Sequence, residues 1–157
     1  MKIYVVSSWK NVSMVRSLTD YLRRNGHEVD DFTDDSRGRY VFHWSEVGDI
    51  QELDAINFLK DRRAQRAFEE DKKWIDWADA VILVLPAGRS AHLEAGYAKG
   101  KGKLLVILGE FPKGEFDVMY GFADLLTRDH EEVKRFLKPM CIGLSVCGGG
   151  CDSCPAN

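Results

Sequence analysis

The chain has 157 residues, of which 45% are hydrophobic and 30% are charged, and its formal net charge is −3. This length and balance predict one globular domain with its own core. A general nucleic-acid binder would be basic, so the negative charge argues against a nucleic-acid polymer as a partner. The apolar runs, such as residues 80–87, are too short to span a bilayer, and the amino terminus lacks the apolar segment of a signal peptide. We therefore expect a cytoplasmic protein.

The first third of the chain alternates predicted strands with a predicted helix. Residues 2–8, "KIYVVSS", are rich in β-forming side chains and predict a strand. Residues 12–25 carry an apolar stripe of helical period, which Gly26 ends, and residues 27–32 predict a second strand. A long polar and aromatic stretch covers residues 33–48, and loops of this length in compact domains are usually functional.

The remaining two thirds continue the alternation. The predicted helices are residues 50–59, 61–78, 90–99 and 129–137, and the predicted strands are residues 79–86, 103–109 and 123–127. The first of these strands is apolar throughout, which is typical of a strand buried on both faces. The pattern predicts an α/β fold with a doubly wound, flavodoxin-like, parallel five-stranded sheet in three α/β/α layers. Ligands of such sheets bind outside the carboxyl ends of the strands.

Glu94 lies on a helix of small residues that follows a buried strand. With Ser90 as the predicted N-cap, Glu94 comes near the first turn, where the helix dipole favours a carboxylate by about 0.3–1 kcal/mol. Ala91, Ala95 and Ala98 suit close packing of this helix on the sheet. A positioned carboxylate is what a nucleophile at a sugar carbon requires. The alternative is a solvated glutamate that the helix dipole stabilises.

Asp71 interrupts the inward apolar stripe of the helix predicted over residues 61–78. The stripe has helical spacing and consists of Ala64, Ala67, Phe68, Trp74, Ile75 and Ala78. An acid on such a stripe costs free energy unless it is paired or faces a cleft. Burial would raise its pKa, which suits a general acid. The alternative is a buried acid satisfied by a backbone amide or an arginine.

Tyr4 lies on the same face of the first strand as Val6, and its hydroxyl group could reach a carboxylate at the carboxyl end of the sheet. The alternative is an ordinary core tyrosine. Other side chains near this edge are predicted to line a binding pocket, and they are Ser7, Ser8 and Trp9 at the strand end, with Phe42 and Trp44 in the long loop. The loop aromatics would stack on a planar ligand or, alternatively, cover the edge of the core.

The turn "AGRSAH" over residues 87–92 precedes the helix that carries Glu94. Helix amino termini bind anions through their free N–H groups, so Gly88, Arg89 and Ser90 are predicted to bind an anionic part of a ligand. The turn lacks the Gly-Lys-Ser/Thr signature of a P-loop.

Three stretches together resemble the nucleoside 2-deoxyribosyltransferase family: "KIYVVSS", the spaced Asp71, and "HLEAGYAKGKGK". The longer stretch "DWADAVILVLPAGRSAHLEAGYAKGKGKLLVILG" looks like a little-characterised bacterial and phage branch of that superfamily, and the resemblance covers residues 2–128. It implies that Glu94 attacks the anomeric carbon and forms a covalent sugar intermediate. It further implies that Asp71 helps the base to depart and that Tyr4 orients the glutamate.

One departure from the family pattern concerns the substrate. The typical transferase carries an acid a few residues before the nucleophile, whereas this chain has "GRSAH" with Arg89, which suits a phosphate as in related nucleotide N-hydrolases. The predicted function is cleavage or transfer at the N-glycosidic bond of a nucleoside or nucleotide, without a cofactor. The alternatives are a nucleoside 5′-monophosphate hydrolase and a non-catalytic nucleotide-binding or signalling module.

The resemblance also implies a homodimer or larger homo-oligomer, because members of the family assemble and a neighbour completes each site. Residues 116–122, "FDVMYGF", correspond to that interface region, and Met119 within them is predicted to contribute to substrate binding.

The four cysteines all lie in the last 17 residues. The spacing of Cys147, Cys151 and Cys154 is compatible with zinc or an iron–sulfur cluster, and it resembles the radical-SAM motif, whose barrel this chain is too short to build. We expect a domain over residues 1–138 and a flexible, metal-free tail over residues 139–157, with metal binding as the alternative.

Overall fold

A computed structural model describes residues 1–49 and 51–138, except for the side chain of Trp44. Five strands form one sheet, and they are β1 (Lys2–Val6), β2 (Glu28–Asp31), β3 (Ala80–Val84), β4 (Leu104–Leu108) and β5 (Leu125–Thr127). The strands pair in parallel in the order β2-β1-β3-β4-β5. The predicted doubly wound parallel sheet is confirmed. The predicted tail, with Cys147, Cys151 and Cys154, lies outside the described residues.

The described residues form five α-helices, which are α1 (Val12–Arg24), α2 (Ala55–Phe58), α3 (Arg62–Trp77), α4 (Arg89–Gly100) and α5 (His130–Phe136). Buried side chains of α1 and α5 pack on one face of the sheet. Those of α3 and α4 pack on the other face, so the three-layer architecture is confirmed. Within the described residues, no helix combines the length and the apolar character that crossing a membrane requires.

The middle strand of the sheet shows why the apolar pattern predicts this fold. All five residues of β3 are buried, because helices cover both faces of the sheet. Ile82 and Val84 face α1 and α5, whereas Val81 and Leu83 face α3 and α4. A strand with one solvent-exposed face would instead show alternating apolar and polar residues.

The structure differs from the sequence prediction in two places around the long loop. The helix predicted over residues 50–59 is only the short α2, and the preceding segment contains a 3-10 turn at Trp44–Glu46. Phe68 of α3 is 60% exposed, so its predicted inward position is wrong. At about 100° per residue, Phe68 lies about 20° outside the arc that the buried Trp74 and Ile75 define, whereas Asp71 lies near the centre of that arc.

Candidate active site

The site lies where the strand order reverses, between β1 and β3. Successive connections leave these two strands in opposite directions along the sheet, which opens a crevice at their carboxyl ends. Tyr4 of β1 is in register with Asp30 of β2 and with Val81 of β3. Tyr4 and Val81 face the layer that α3 and α4 form. Side chains from two strands and two helices can therefore meet on this face.

The Tyr4 hydroxyl group joins β1 to α4. Tyr4 is fully buried, and its hydroxyl donates a hydrogen bond of 3.0 Å to Oε2 of the half-buried Glu94. A rigid ring inside the core thus fixes one oxygen of the carboxyl group. The other carboxyl oxygen, Oε1, does not accept this bond and can contact a ligand.

The position of Glu94 on α4 corrects one prediction. The N-cap is Gly88, and the helix begins at Arg89, so Ser90 does not cap the helix and Glu94 is not in its first turn. The extended Gly88 ends the preceding loop, and its carbonyl oxygen accepts from the His92 ring nitrogen Nδ1 at 2.8 Å. The helix dipole fades beyond the first turn, so the bond from Tyr4 positions the carboxyl group instead.

The small residues of α4 serve the close approach that the sequence predicts. Ala91 and Ala95 are 3% exposed and Ala98 is fully buried. A helix that presents only methyl groups can approach the sheet closely, which brings Glu94 within reach of Tyr4 on β1.

Arg39 is the residue of this site that the sequence analysis missed. It comes from the long loop, yet it is only 4% exposed. Its Nη1 donates to Asp30 Oδ2 at 2.5 Å, and its Nη2 donates to the Tyr4 hydroxyl at 3.2 Å and to Asp71 Oδ1. One guanidinium group therefore connects β2, β1 and α3.

A signal for this arrangement was present in "HEVDDF". Strand alternation turns Asp30 into the core, and a buried aspartate requires a cation or several donors. The nearby "RGRY" supplies two arginines, but their spacing alone does not show which of them turns inward.

Asp71 combines the two interpretations that its sequence position allowed. It is paired with an arginine, as the alternative proposed, and it lies beside the Tyr4–Glu94 pair because the same guanidinium contacts the Tyr4 hydroxyl. Its side chain is 39% exposed while that of Arg39 is 1% exposed. Asp71 is thus open to solvent, whereas Asp30 of the same cluster is not.

Burial and mutual repulsion control the charge of the cluster. Burial raises the pKa of Glu94 to about 8, and the nearby Asp71 charge adds to this, against the opposing effects of Tyr4 and Arg39. Burial also raises the pKa of Asp71, although the Arg39 contact opposes it. Burial raises the pKa of Asp30 to about 7. Glu94 therefore keeps its proton near neutral pH, and the negative charge of Asp71 favours that protonated form.

Two of the predicted pocket residues, which directly follow β1, have structural partners. Ser7 Oγ donates to the Val84 carbonyl oxygen at 2.7 Å, and Asn11 Nδ2 donates to Ser7 Oγ at 3.1 Å. These bonds tie the carboxyl ends of β1 and β3 together. Ser8 caps the 3-10 turn Trp9–Asn11.

The predicted aromatic residues divide between the rim and the core. Trp9 is 42% exposed, and its ring lies 4.8 Å from that of His43 and 5.2 Å from that of Phe32. Phe42 is 7% exposed and packs near Phe58, so it covers the edge of the core. The side chain of Trp44 lies outside the described part of the chain.

The predicted anion-binding turn is open to solvent. Gly88, Arg89 and Ser90 are exposed, and within the described residues Arg89 makes no hydrogen bond or ion pair. Its charge is available to a ligand near the amino terminus of α4.

Met119 belongs to an exposed apolar segment. It lies in the 3-10 turn Val118–Phe122 and is 56% exposed, while Phe116 and Val118 are each 85% exposed. The turn contacts α4 through Tyr120 and His92, whose ring centroids are 6.1 Å apart. The homo-oligomer, and a part for Met119 in substrate binding, stay predictions.

We expect Glu94→Gln to raise the free energy of unfolding by about 1 kcal/mol or more at pH 9, and by less at pH 5. The folded pKa is about 8 against an ordinary value of 4.5, so the folded protein retains a proton that the unfolded chain has released. The wild type therefore loses stability as the pH rises through this interval. Glutamine still accepts from Tyr4 and carries no charge.

Urea denaturation at the two pH values measures the difference. Glu69→Gln, at an exposed position of α3, is the matched control and should change little at either pH. If Glu94→Gln changes the free energy of unfolding equally at pH 5 and pH 9, the protein environment does not disfavour the ionised form of Glu94.

Solved structures of two enzymes share this architecture. A 2-deoxyribosyltransferase from Bacillus psychrosaccharolyticus superposes with a TM-score of 0.57 at 19% sequence identity, over 85% of this chain and 90% of that chain. The CMP N-glycosidase BcmB of Clostridium botulinum gives a TM-score of 0.53 at 15% identity, over 87% of this chain and 98% of that chain. No protein-family model and no curated protein sequence matches the chain. The resemblance stated from the sequence is confirmed at the level of the fold, which is that of the nucleoside 2-deoxyribosyltransferases.

Proposed function

We propose that the protein cleaves the N-glycosidic bond of a nucleoside or nucleotide, with Glu94 as the nucleophile and a covalent sugar intermediate. The observation that carries the proposal is the hydrogen bond from buried Tyr4 to Glu94, with Asp71 tied to the same hydroxyl through Arg39. This arrangement supplies a fixed carboxyl group and a second, more exposed one at the carboxyl edge of the sheet.

In the first step, a Glu94 oxygen forms a bond to the anomeric carbon as the bond to the base nitrogen breaks. The electron pair of that bond goes to the base, which takes a proton from Asp71. In the second step, water or an acceptor base attacks the same carbon, and Glu94 departs as a carboxylate. Asp71 then takes the proton of the attacking group, as the acid and base of a retaining glycosidase do.

The charge of the cluster suits the transition state of both steps. Asp30 and Asp71 contact a single guanidinium group directly, and Glu94 is joined to it through the Tyr4 hydroxyl. The cluster therefore carries excess negative charge when its carboxyl groups ionise. The sugar becomes oxocarbenium-like and positive as the bond breaks, and a fixed negative charge beside it lowers the barrier.

In the reactive form, Asp71 carries a proton and Glu94 carries a negative charge. In the free protein the contact with Arg39 favours the opposite arrangement, since a guanidinium stabilises an ionised Asp71. A sugar bound against Glu94 reverses the preference, because its developing positive charge favours an ionised glutamate. The basic nitrogen of the departing base then draws the proton from Asp71.

The comparisons support the reaction class by their names alone. One neighbour is a deoxyribosyltransferase and the other a CMP N-glycosidase, and both names refer to chemistry at a sugar–base bond. The Tyr4, Asp71 and Glu94 cluster argues against a non-catalytic binding module, since a module that only binds a nucleotide needs no nucleophile.

A 5′-monophosphate is the second candidate substrate, because Arg89 is exposed and unpaired within the described residues. Together with the free N–H groups at the start of α4, its charge would favour a phosphate group. The nucleotide N-hydrolase differs from the transferase in two respects: the phosphate contact, and water in place of an acceptor base.

We expect base release to depend on both carboxyl groups. A panel of deoxynucleosides and nucleoside 5′-monophosphates, with and without an acceptor base, is followed by chromatography. Glu94→Ala should lower the rate about a thousandfold or more, because the nucleophile is gone. Asp71→Asn should lower it by about 10²- to 10⁴-fold through slower base departure.

Glu69→Gln is again the control and should retain the wild-type rate. If Glu94→Ala matches the wild type on every substrate that is cleaved, Glu94 is not the nucleophile. An unchanged rate for folded Asp71→Asn would remove this residue from the mechanism.

For Arg89→Ala we expect the ratio of kcat/KM for a 5′-monophosphate to that for the free nucleoside to fall about tenfold, which corresponds to about 1.4 kcal/mol. Lys101→Ala removes the same charge at the opposite end of α4 and should leave the ratio unchanged. A ratio that is equal in Arg89→Ala and the wild type would refute a phosphate contact for Arg89.

A further inference from the structure

The Asp30–Arg39 pair is the most deeply buried ion pair of the described residues. The side chain of Asp30 is 0% exposed and that of Arg39 is 1% exposed, and their charged atoms lie 2.5 Å apart. Removing two charges from water costs free energy that their attraction does not always restore. Asp30 Oδ1 in addition lacks a hydrogen-bond partner within the described residues. A role in stability alone is therefore a poor explanation of this pair.

The pair stands directly beside the candidate catalytic side chains. Asp30 neighbours Tyr4 across the β1–β2 register and anchors one nitrogen of the guanidinium group. The other nitrogen contacts the Tyr4 hydroxyl and Asp71, and the guanidinium carbon lies 5.3 Å from the centroid of the Tyr4 ring. Only the planar fork of an arginine presents donors to three groups in this way.

The backbone that delivers Arg39 is held by its neighbours. The Arg66 guanidinium carbon lies 4.1 Å from the Tyr40 ring centroid, and Phe42 packs 6.2 Å from Phe58 between ring centroids. The loop residues that follow Arg39 are thus fixed to α2 and α3, so the guanidinium enters the site from a supported segment.

We propose that the Asp30–Arg39 pair is the positioning unit of the site, which holds the Tyr4 hydroxyl and the Asp71 carboxyl together and balances the charge that Glu94 and Asp71 carry. The inference rests on the proposed function only for its catalytic consequence. Its electrostatic consequence concerns the free protein, and it can be measured without a substrate.

The other charged groups around the cluster have partners of their own. The titratable and charged groups that face it are Tyr4 of β1, Asp30 and Asp31 of β2, Arg37 and Arg39 of the loop, Glu70 and Asp71 of α3, and Glu94 of α4. Asp31 bonds to Thr19 and Thr33.

Arg37 bonds to the Val29 carbonyl oxygen and lies against the ring of Trp74, and Glu70 bonds to Trp74. Arg39 is the cation in direct contact with the carboxyl groups of Asp30 and Asp71.

The two members of the pair must therefore act on Glu94 in opposite directions. Without the positive charge of Arg39, an ionised Glu94 is less favourable, and its pKa rises. Without the negative charge of Asp30, an ionised Glu94 is more favourable, and its pKa falls. Shifts of opposite sign show that both charges of the pair act on Glu94. The loss of kcat in Arg39→Lys, which keeps the charge, separates positioning from an effect of charge alone.

The test is an NMR titration of the Glu94 carboxyl carbon in protein labelled with ¹³C-glutamate, with the signal assigned by its loss in Glu94→Gln. We expect the midpoint to move up by about one pH unit in Arg39→Gln and down in Asp30→Asn. Arg39→Lys keeps the charge but loses the fork, so its midpoint should stay near that of the wild type.

Measurements of kcat and kcat/KM test the catalytic consequence. Arg39→Lys should lower kcat at least tenfold, since a lysine cannot hold both Tyr4 and Asp71. The pH profile of kcat/KM should shift in the same directions as the titrations of Arg39→Gln and Asp30→Asn. Circular dichroism establishes that each variant is folded, and the Asp30→Asn and Arg39→Lys titrations decide the question if Arg39→Gln does not fold.

Two results would overturn the inference: midpoints unchanged in folded Arg39→Gln and Asp30→Asn, or midpoints that move in the same direction. If the wild type cleaves no substrate while the titrations shift in opposite directions, the proposed function fails and the positioning unit stands. If the wild type cleaves a substrate but the titration midpoints do not shift in the variants, the proposed function stands and the positioning unit fails.

Discussion

One guanidinium group among three carboxyl groups is the constraint on which this site depends. Arg39 touches Asp30, Asp71 and the Tyr4 hydroxyl, and that hydroxyl donates to Glu94. With its pKa raised to about 8, Glu94 keeps a proton near neutral pH. Burial is the largest cause of the raised pKa of Glu94, and the nearby Asp71 charge adds to it. In the proposed mechanism, the excess of carboxyl groups over cations in the cluster stabilises the positive charge that develops on the sugar.

The fold makes this concentration of charge possible because one face of the sheet forms an apolar core while the other face carries the ionisable residues. The face covered by α1 and α5 is an apolar core of branched side chains. The face covered by α3 and α4 contains Tyr4 and the alanines of α4, and at its carboxyl edge it carries the ionisable residues. Free energy lost by burying charge on one face is offset by hydrophobic burial across the whole sheet.

Much of this arrangement follows from sequence patterns. The continuous apolar run of β3 predicts a parallel strand covered on both faces, and the interrupted stripe of α3 singles out Asp71. Glu94 and Tyr4 emerge from spacing and from the family resemblance. These signals work because each depends on local periodicity, which the fold obeys.

Local sequence patterns do not predict the inward position of Arg39 or the residue at which α4 begins. Arg39 lies in a loop without periodicity, and its partners come from β1, β2 and α3, so only the tertiary structure shows that it turns inward. Ser90 is a favourable capping residue by type, but the extended Gly88 begins the helix earlier. The sequence did not decide whether Phe42 stacks on a ligand or covers the edge of the core, and the structure shows Phe42 buried near Phe58 of α2.

The central claim is that a sugar becomes bound to Glu94 during cleavage. Mass spectrometry of the intact protein and of its peptides measures this directly, after reaction with a nucleoside or 5′-monophosphate that carries fluorine at the 2′ position and so slows the second step. The account predicts a mass increase of one sugar on the peptide that contains Glu94, and no increase in Glu94→Gln. Release of the base with no sugar on the protein, or with the sugar on another residue, would contradict it.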